Sequence, residues 1–219
     1  MNIDISRVDK LLSNSFGKKV LRPHNDPVGE LVRTMLSQNT SDINRDRAYE
    51  RLRQRFPRWE DVVNARTNSI RIAIKPGGLS AIKAPRIKSV LRKIQDGHGE
   101  IDLSDLKRMP AEKGIAYLTS FNGVGFKTAA CVLLFSYGKE VFPVDTHVYR
   151  VTQRLGMIPH NCGLSRAHAV MNEIVPVKSR YQLHLNLIEL GRKVCRPRAP
   201  LCAQCVLNQV CPSAFSFGA

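Results

Sequence analysis

Within 17 residues near the end of the chain, Cys195, Cys202, Cys205 and Cys211 form the pattern Cys-x6-Cys-x2-Cys-x5-Cys. Disulfides suit exported chains. The start Met1-Asn2-Ile3-Asp4-Ile5 lacks the basic and apolar stretches of a secretory signal, so reduced thiols are expected. Four thiolates in a loop braced by Pro197, Pro200 and Pro212 can wrap a metal centre. Zinc and a [4Fe–4S] cluster both accept four cysteines. Structural zinc sites favour two short Cys-x2-Cys knuckles and this loop has one, which leans towards the cluster and leaves zinc open. Cys131, inside an apolar run, reads as a small buried side chain, and Cys162, in a loop, carries no mark of reactivity.

Leu118 to Ala130 reads LTSFNGVGFKTAA, a helix end, then Gly123-Val124-Gly125, then a new helix. Two glycines around one residue allow positive φ and the close approach of another backbone. The N–H groups opening the second helix can bind a phosphate oxygen. This is a helix-hairpin-helix, a sequence-neutral grip on DNA in many proteins. Lys127 stands in the first turn of that second helix. The positive end of the helix dipole disfavours its protonated form, and a neutral amine is a nucleophile able to form a Schiff base. Its plainer role is one more phosphate contact among 34 basic residues. Eighteen residues on, Pro143-Val144-Asp145-Thr146-His147-Val148-Tyr149-Arg150 puts an aspartate at a helix start. Capping is its plain role, but a carboxylate there that also faces a cleft can stabilise a cationic sugar or handle a proton.

These groups need rigid elements to hold them, and the pattern along the chain is helical. Asp26-Pro27 starts a helix, followed by Val28, Leu31, Val32, Met35 and Leu36 at helical spacing. After a break over residues 37–41, a helix over 43–56 ends at Pro57. Its Arg47, Arg51, Arg55 and Arg58 make one basic stripe, either solvated or facing phosphates. Lys75-Pro76-Gly77-Gly78 is a turn and residues 85–95 a basic helix. Further helices are expected over 110–119, 126–137, 146–155, 165–175 and 181–194. Alternating β patterns are nearly absent, so the expected fold class is all-α, without internal repeats.

The 219 residues carry 34 Lys and Arg against 18 Asp and Glu, a net charge of +16, and the pI is about 10.0. A polyanion is the first partner to consider, because each phosphate neutralised releases counterions. Charge alone leaves DNA, RNA and an anionic membrane surface open. Hydrophobic residues make up 43 %, enough for a packed core and too many for a wholly disordered chain. The longest apolar run, residues 129–135, is seven residues, far short of the roughly 20 that cross a bilayer. A cytoplasmic, nucleoid-associated monomer is expected.

The hairpin FNGVGFKTA, the segment VDTHVYR and the four-cysteine loop, in this order, resemble the endonuclease III family of DNA repair glycosylases over residues 28–211. The resemblance implies that Lys127 is the catalytic lysine, Asp145 the catalytic aspartate, and Cys195, Cys202, Cys205 and Cys211 the ligands of a [4Fe–4S] cluster. It implies two helical domains flanking a DNA groove, one over 26–138 with the hairpin, the other joining 1–25 to 139–219 with the cluster loop. The partner is double-stranded DNA containing damaged bases or abasic sites. The damaged base is extruded from the duplex, and Gln38 or Asn39, with Leu79, fill the gap. Neutral Lys127 displaces the base at C1′, Asp145 stabilises the developing positive charge, and β-elimination nicks the strand. Gly123, Val124, Gly125, Thr128, His147, Arg150, Arg192, Lys193, Arg196 and Arg198 are the remaining expected DNA contacts, and Asp42 and Thr119 the base-pocket positions.

Two departures bear on the substrate. The family commonly has Leu-Pro before Gly-Val-Gly where this chain has Phe121-Asn122, and Thr119 stands where a pocket glutamate is expected. Oxidised pyrimidines are the favoured substrate, with a narrower set or abasic sites as variants. An adenine-mismatch branch carries a glutamate where this chain has Arg33 and adds a C-terminal domain, whereas this sequence runs eight residues past Cys211. A thymine-mismatch branch lacks the hairpin lysine. A non-catalytic DNA-binding iron–sulfur protein is the rival from another class, and the presence of both Lys127 and Asp145 speaks against it.

Overall fold

A computed structural model describes residues 3–216. Met1 and Asn2, part of the stretch read for a signal, and residues 217–219 lie outside them. The described residues form helices and turns with no strand, and none of the helices is long and apolar enough to cross a membrane. The chain divides into two compact units, Pro23–Lys139 and Met1–Arg22 with Glu140–Ala219. These boundaries fall three residues before and one residue after the expected ones.

The continuous unit holds α2 (Pro27–Leu36), α3 (Asp42–Arg55), α4 (Trp59–Asn64), α5 (Thr67–Ala73), α6 (Ser80–His98), α7 (Ala111–Thr119) and α8 (Phe126–Tyr137). Asp26 caps α2 through the Gly29 amide, with Pro27 at the first helical position. The periodic Val28, Leu31, Val32, Met35 and Leu36 are all buried. Every residue from Thr128 to Leu134 is buried too, so α8 is the central helix of this unit, apolar all round as a core helix must be. Against it pack α2 and α7.

Four differences from the sequence-based expectation have physical causes. The six-residue α4 and seven-residue α5 are too short for a periodic signal and are held by burying Val62, Val63 and Ile70. Arg58 lies outside α3, in extended backbone at the start of α4 and bonded to Asp61, so the basic stripe is Arg47, Arg51 and Arg55, all exposed. Pro85 does not open its helix. α6 begins five residues earlier at Ser80, and Pro85 sits exposed within it. Finally α1 (Ile5–Phe16), unforeseen, is capped by Asp4 and buries Val8 and Leu12.

The discontinuous unit packs α1 and α9 (Thr146–Arg154) against α11 (Arg180–Lys193). Val148, Leu183, Leu187, Met171 of α10 (Leu164–Ile174) and Phe142 form its core. His168 on α10 is 4 % exposed, and its burial pushes the imidazole from 6.5 down to about 4, against a hydrogen bond to the Phe142 backbone. The unfolded chain therefore takes up this proton first as the pH falls. Stability from His168 is complete above pH 6.5 and lost between 6.5 and 4, by as much as ~3 kcal/mol. Urea denaturation of His168→Gln should show a flatter pH dependence than wild type across that interval. Equal slopes would mean that His168 does not titrate on unfolding.

Candidate active site and cysteine loop

The hairpin turn between α7 and α8 has one conformationally demanding glycine. Gly123 has φ of 87°, and a Cβ placed on it would come within 3.0 Å of the Arg86 side chain. Gly125 differs from expectation: its φ of −92° is open to any residue, and no heavy atom lies within 4 Å of a Cβ there. It begins α8 without a side-chain cap, so the first-turn amides are left to a partner other than a side chain. Lys127 is the second residue of α8 and half-buried. Two expected contacts face inward instead. Val124 is 5 % exposed and Thr128 4 %, and the Val124 amide closes the turn onto the Phe121 carbonyl. Phe121, in place of the family's leucine, is buried and meets the Tyr117 ring edge-on at 5.1 Å, while Asn122 is exposed.

Two more turns lie in the same unit. Gln38 donates from Nε2 to the Gly123 carbonyl at 3.3 Å, which joins the turn after α2 to the hairpin. Asn39 is exposed with φ of 52°. Leu79 is 48 % exposed and left-handed at φ of 48° just before α6. Lys83, in the first turns of α6, was unmarked in the sequence. It is 3 % exposed, donates to the Leu36 carbonyl at 2.7 Å and the Gly77 carbonyl at 2.8 Å, and burial lowers its ammonium to about 8. Asp42 pairs with Arg45 at 2.8 Å. Thr119 is exposed and turns its hydroxyl back onto the Ile115 carbonyl, so it offers no stand-in for a pocket carboxylate.

In the other unit Asp145 caps α9 by accepting from the Val148 amide at 2.7 Å. Arg150, one turn on, is tied internally: Nε donates to the Cys195 carbonyl at 3.0 Å and Nη2 to the Gly191 carbonyl at 2.7 Å. These bonds link α9 to the cysteine loop. Arg154, unforeseen, extends that link. Nη1 donates to the Cys195 sulfur at 3.3 Å and the Arg196 carbonyl at 2.7 Å, and Nη2 to the Pro197 carbonyl at 3.0 Å. Gly191 allows this packing, since a Cβ there would lie 2.9 Å from that of His147. Burial lowers the half-buried His147 imidazole.

Cys195, Cys202, Cys205 and Cys211 line one cavity. Burial pushes the Cys205 and Cys211 thiols up, so an uncompensated thiolate is disfavoured there. Among the described residues no three His, Cys, Asp or Glu side chains converge closely enough to hold one ion. Arg192, Lys193, Arg196 and Arg198 beside the loop are exposed. The loop sequence has no acid among them, but Glu189 from the preceding turn takes Lys193 at 2.7 Å.

Residues 32–177 match the HhH-GPD superfamily of base excision DNA repair proteins. An Arabidopsis thaliana relative is 36 % identical over 84 % of this chain, which spans 60 % of that protein's length. Endonuclease III of Thermotoga maritima is 30 % identical over 91 % of this chain and 90 % of its own, and that of Sulfolobus acidocaldarius 33 % over 83 % and 79 %. The chain belongs to the endonuclease III family of that superfamily. A solved non-covalent endonuclease III–DNA complex has the same fold, with a TM-score of 0.82 over 97 % of this chain and 95 % of its own at 23 % identity. A thermostable thymine-DNA glycosylase follows at 0.76, over 96 % and 94 %, with 22 % identity.

The two hairpin glycines should respond differently to substitution. Gly123→Ala is expected to cost about 1–2 kcal/mol in urea denaturation, from its left-handed backbone and the Arg86 contact. Gly125→Ala should cost under about 1 kcal/mol yet weaken duplex binding in a gel-shift titration. Equal affinity for Gly125→Ala and wild type would contradict a phosphate contact at this turn.

Proposed function

We propose that the protein is a bifunctional DNA glycosylase and abasic-site lyase that removes oxidised pyrimidines from duplex DNA. The observation that carries this reading is Lys127 on the first turn of a helix that starts without a side-chain cap, directly after the hairpin. An N-terminus of this kind attracts a phosphate, which would bring the DNA backbone to Lys127. The Lys127 Nζ then attacks C1′ of the extruded nucleotide, the N-glycosidic bond breaks and the base departs. The Asp145 carboxylate stabilises the positive charge developing on the sugar. One amine proton passes to the departing base. The C1′–O4′ bond then opens with O4′ taking up a proton, which leaves a protonated Schiff base between C1′ and Lys127. Loss of a proton from C2′ and cleavage of the C3′–O bond follow, nicking the strand.

The donor set of the cysteine loop fits a [4Fe–4S] cluster. In a tetrahedral zinc site the four sulfurs crowd to within about 3.8 Å of each other, whereas a cube binds one thiolate at each corner iron and keeps the sulfurs apart around a cavity. Cys195, Cys202, Cys205 and Cys211 line one cavity and offer the four thiolates that a cube takes. When bound, the group would pin the loop through these four thiolates.

Duplexes carrying thymine glycol, dihydrouracil or an abasic site test the activity directly. Wild type should release the base and nick the strand. Lys127→Ala should lose at least ~10²-fold in rate and Asp145→Asn a similar amount, both with nearly unchanged melting temperature, since asparagine caps a helix about as well as aspartate. Undamaged activity in Lys127→Ala would remove the nucleophile from this account. Charge reversal at Arg196 or Arg198 should weaken binding to every duplex and flatten its salt dependence while leaving base choice alone. A changed lesion preference would exclude phosphate contact for these residues. The anaerobically isolated holoprotein should be brown with a broad visible band, and a colourless protein holding one zinc would overturn the cluster.

A further inference from the structure

We propose that Lys83 is a positioning residue: bonded to the carbonyls of Leu36 and Gly77, it holds the turns that carry Gln38, Asn39 and Leu79 in one fixed arrangement. The inference rests on the proposed function and on the resemblance, which implies that Gln38 or Asn39, with Leu79, fills the gap left when a nucleotide is extruded.

Lys83 makes no ion pair among the described residues, and only 3 % of it is exposed. Burying an unpaired ammonium costs stability that an apolar side chain of similar length would not. Its acceptors show what is obtained in exchange. Leu36 is the last residue of α2, so its carbonyl lies where a helix leaves acceptors without amide donors. Gly77 closes the tight turn Lys75–Gly77, pressed so near α3 that a Cβ on it would meet that of Ala48 at 3.0 Å. One ammonium thus spans two turns 41 positions apart in the chain.

Both turns contain left-handed residues other than glycine, Asn39 at φ of 52° and Leu79 at 48°, the latter directly after Gly78 at 66°. A leucine in that region is disfavoured and persists only where its surroundings impose it. The consequence is an apolar side chain standing 48 % exposed on a strained and fixed backbone. Arg86, one turn after Lys83, packs its side chain over Gly123, and Gln38 bonds the Gly123 carbonyl. The start of α6 therefore ties together the hairpin and both gap-filling turns, and Lys83 is its buried fastener.

The test uses the full-length protein and a duplex with a tetrahydrofuran abasic analogue and 2-aminopurine in the opposite strand, beside the gap. Insertion of side chains unstacks the probe and raises its fluorescence. If wild type gives no rise, the reading of Gln38 or Asn39, with Leu79, as gap fillers fails, and the proposal with it. Given a rise, Lys83→Met should abolish it and reduce the preference for the abasic over the undamaged duplex about tenfold, while affinity for undamaged duplex stays within about twofold. The double variant Lys83→Met/Leu79→Ala should discriminate no worse than either single one, since both remove the same insertion. A full rise with wild-type preference in Lys83→Met, or additive losses in the double variant, would overturn the proposal. If Lys83→Met does not fold, Lys83→Gln, which keeps a shorter two-proton donor, carries the same test. Failure of both to fold would assign Lys83 to core stability alone and overturn the proposal as well.

Discussion

Each helix begins with backbone N–H groups that have no carbonyl behind them, and this chain answers that constraint in two ways. Asp4, Asp26, Ser41 and Asp145 satisfy the amides of α1, α2, α3 and α9 with their own side chains. Gly125 has no side chain to give, and α8 starts uncapped. The residues proposed to act on DNA stand at these starts: Lys127 on α8, Asp145 at α9, Leu79 before α6, Asp42 opening α3. A helix start directs a side chain from a rigid rod while its dipole biases the charge that is favoured there. Capping and function are therefore not alternatives for Asp145. One carboxylate oxygen holds the Val148 amide and the second is available for another partner.

The helices behind these starts are fastened further along their length. In the discontinuous unit α9 carries Asp145 at one end and, one and two turns later, Arg150 and Arg154, which bond the backbone around Cys195. The cysteine loop and the aspartate are thereby two ends of one nine-residue helix. In the continuous unit the same service is given by α6, whose first turns touch three separate loops. Positive charge plays two parts in this protein. Arg196 and Arg198 are exposed, whereas Lys83, Arg150 and Arg154 use their donors inside the fold.

The sequence made much of this legible, but only where local rules apply. Asp26-Pro27, the apolar spacing of α2 and the glycine-flanked hairpin announce themselves because caps, periodicity and turns are encoded within a few residues. α4 and α5 do not, because helices of six and seven residues owe their existence to packing rather than to pattern. Pro85 misled because proline usually marks a helix start, while here it is tolerated on an exposed face of α6. Gly125 was expected to need its conformational freedom, and the backbone shows that Gly123 alone does. Lys83 was one of 34 basic residues, and nothing nearby in the chain distinguishes a solvated ammonium from one bonded to a carbonyl 47 positions away. Arg150 and Arg154 were hidden for the same reason.

The central claim is that the Lys127 amine becomes covalently bound to the sugar. Borohydride reduction during turnover on a thymine glycol duplex, with proteolysis and mass spectrometry of the trapped protein, addresses it without any substitution. The account predicts one adduct, mapped to Lys127. A trapped adduct on another amine, or active protein that releases the base yet yields no adduct, would contradict it.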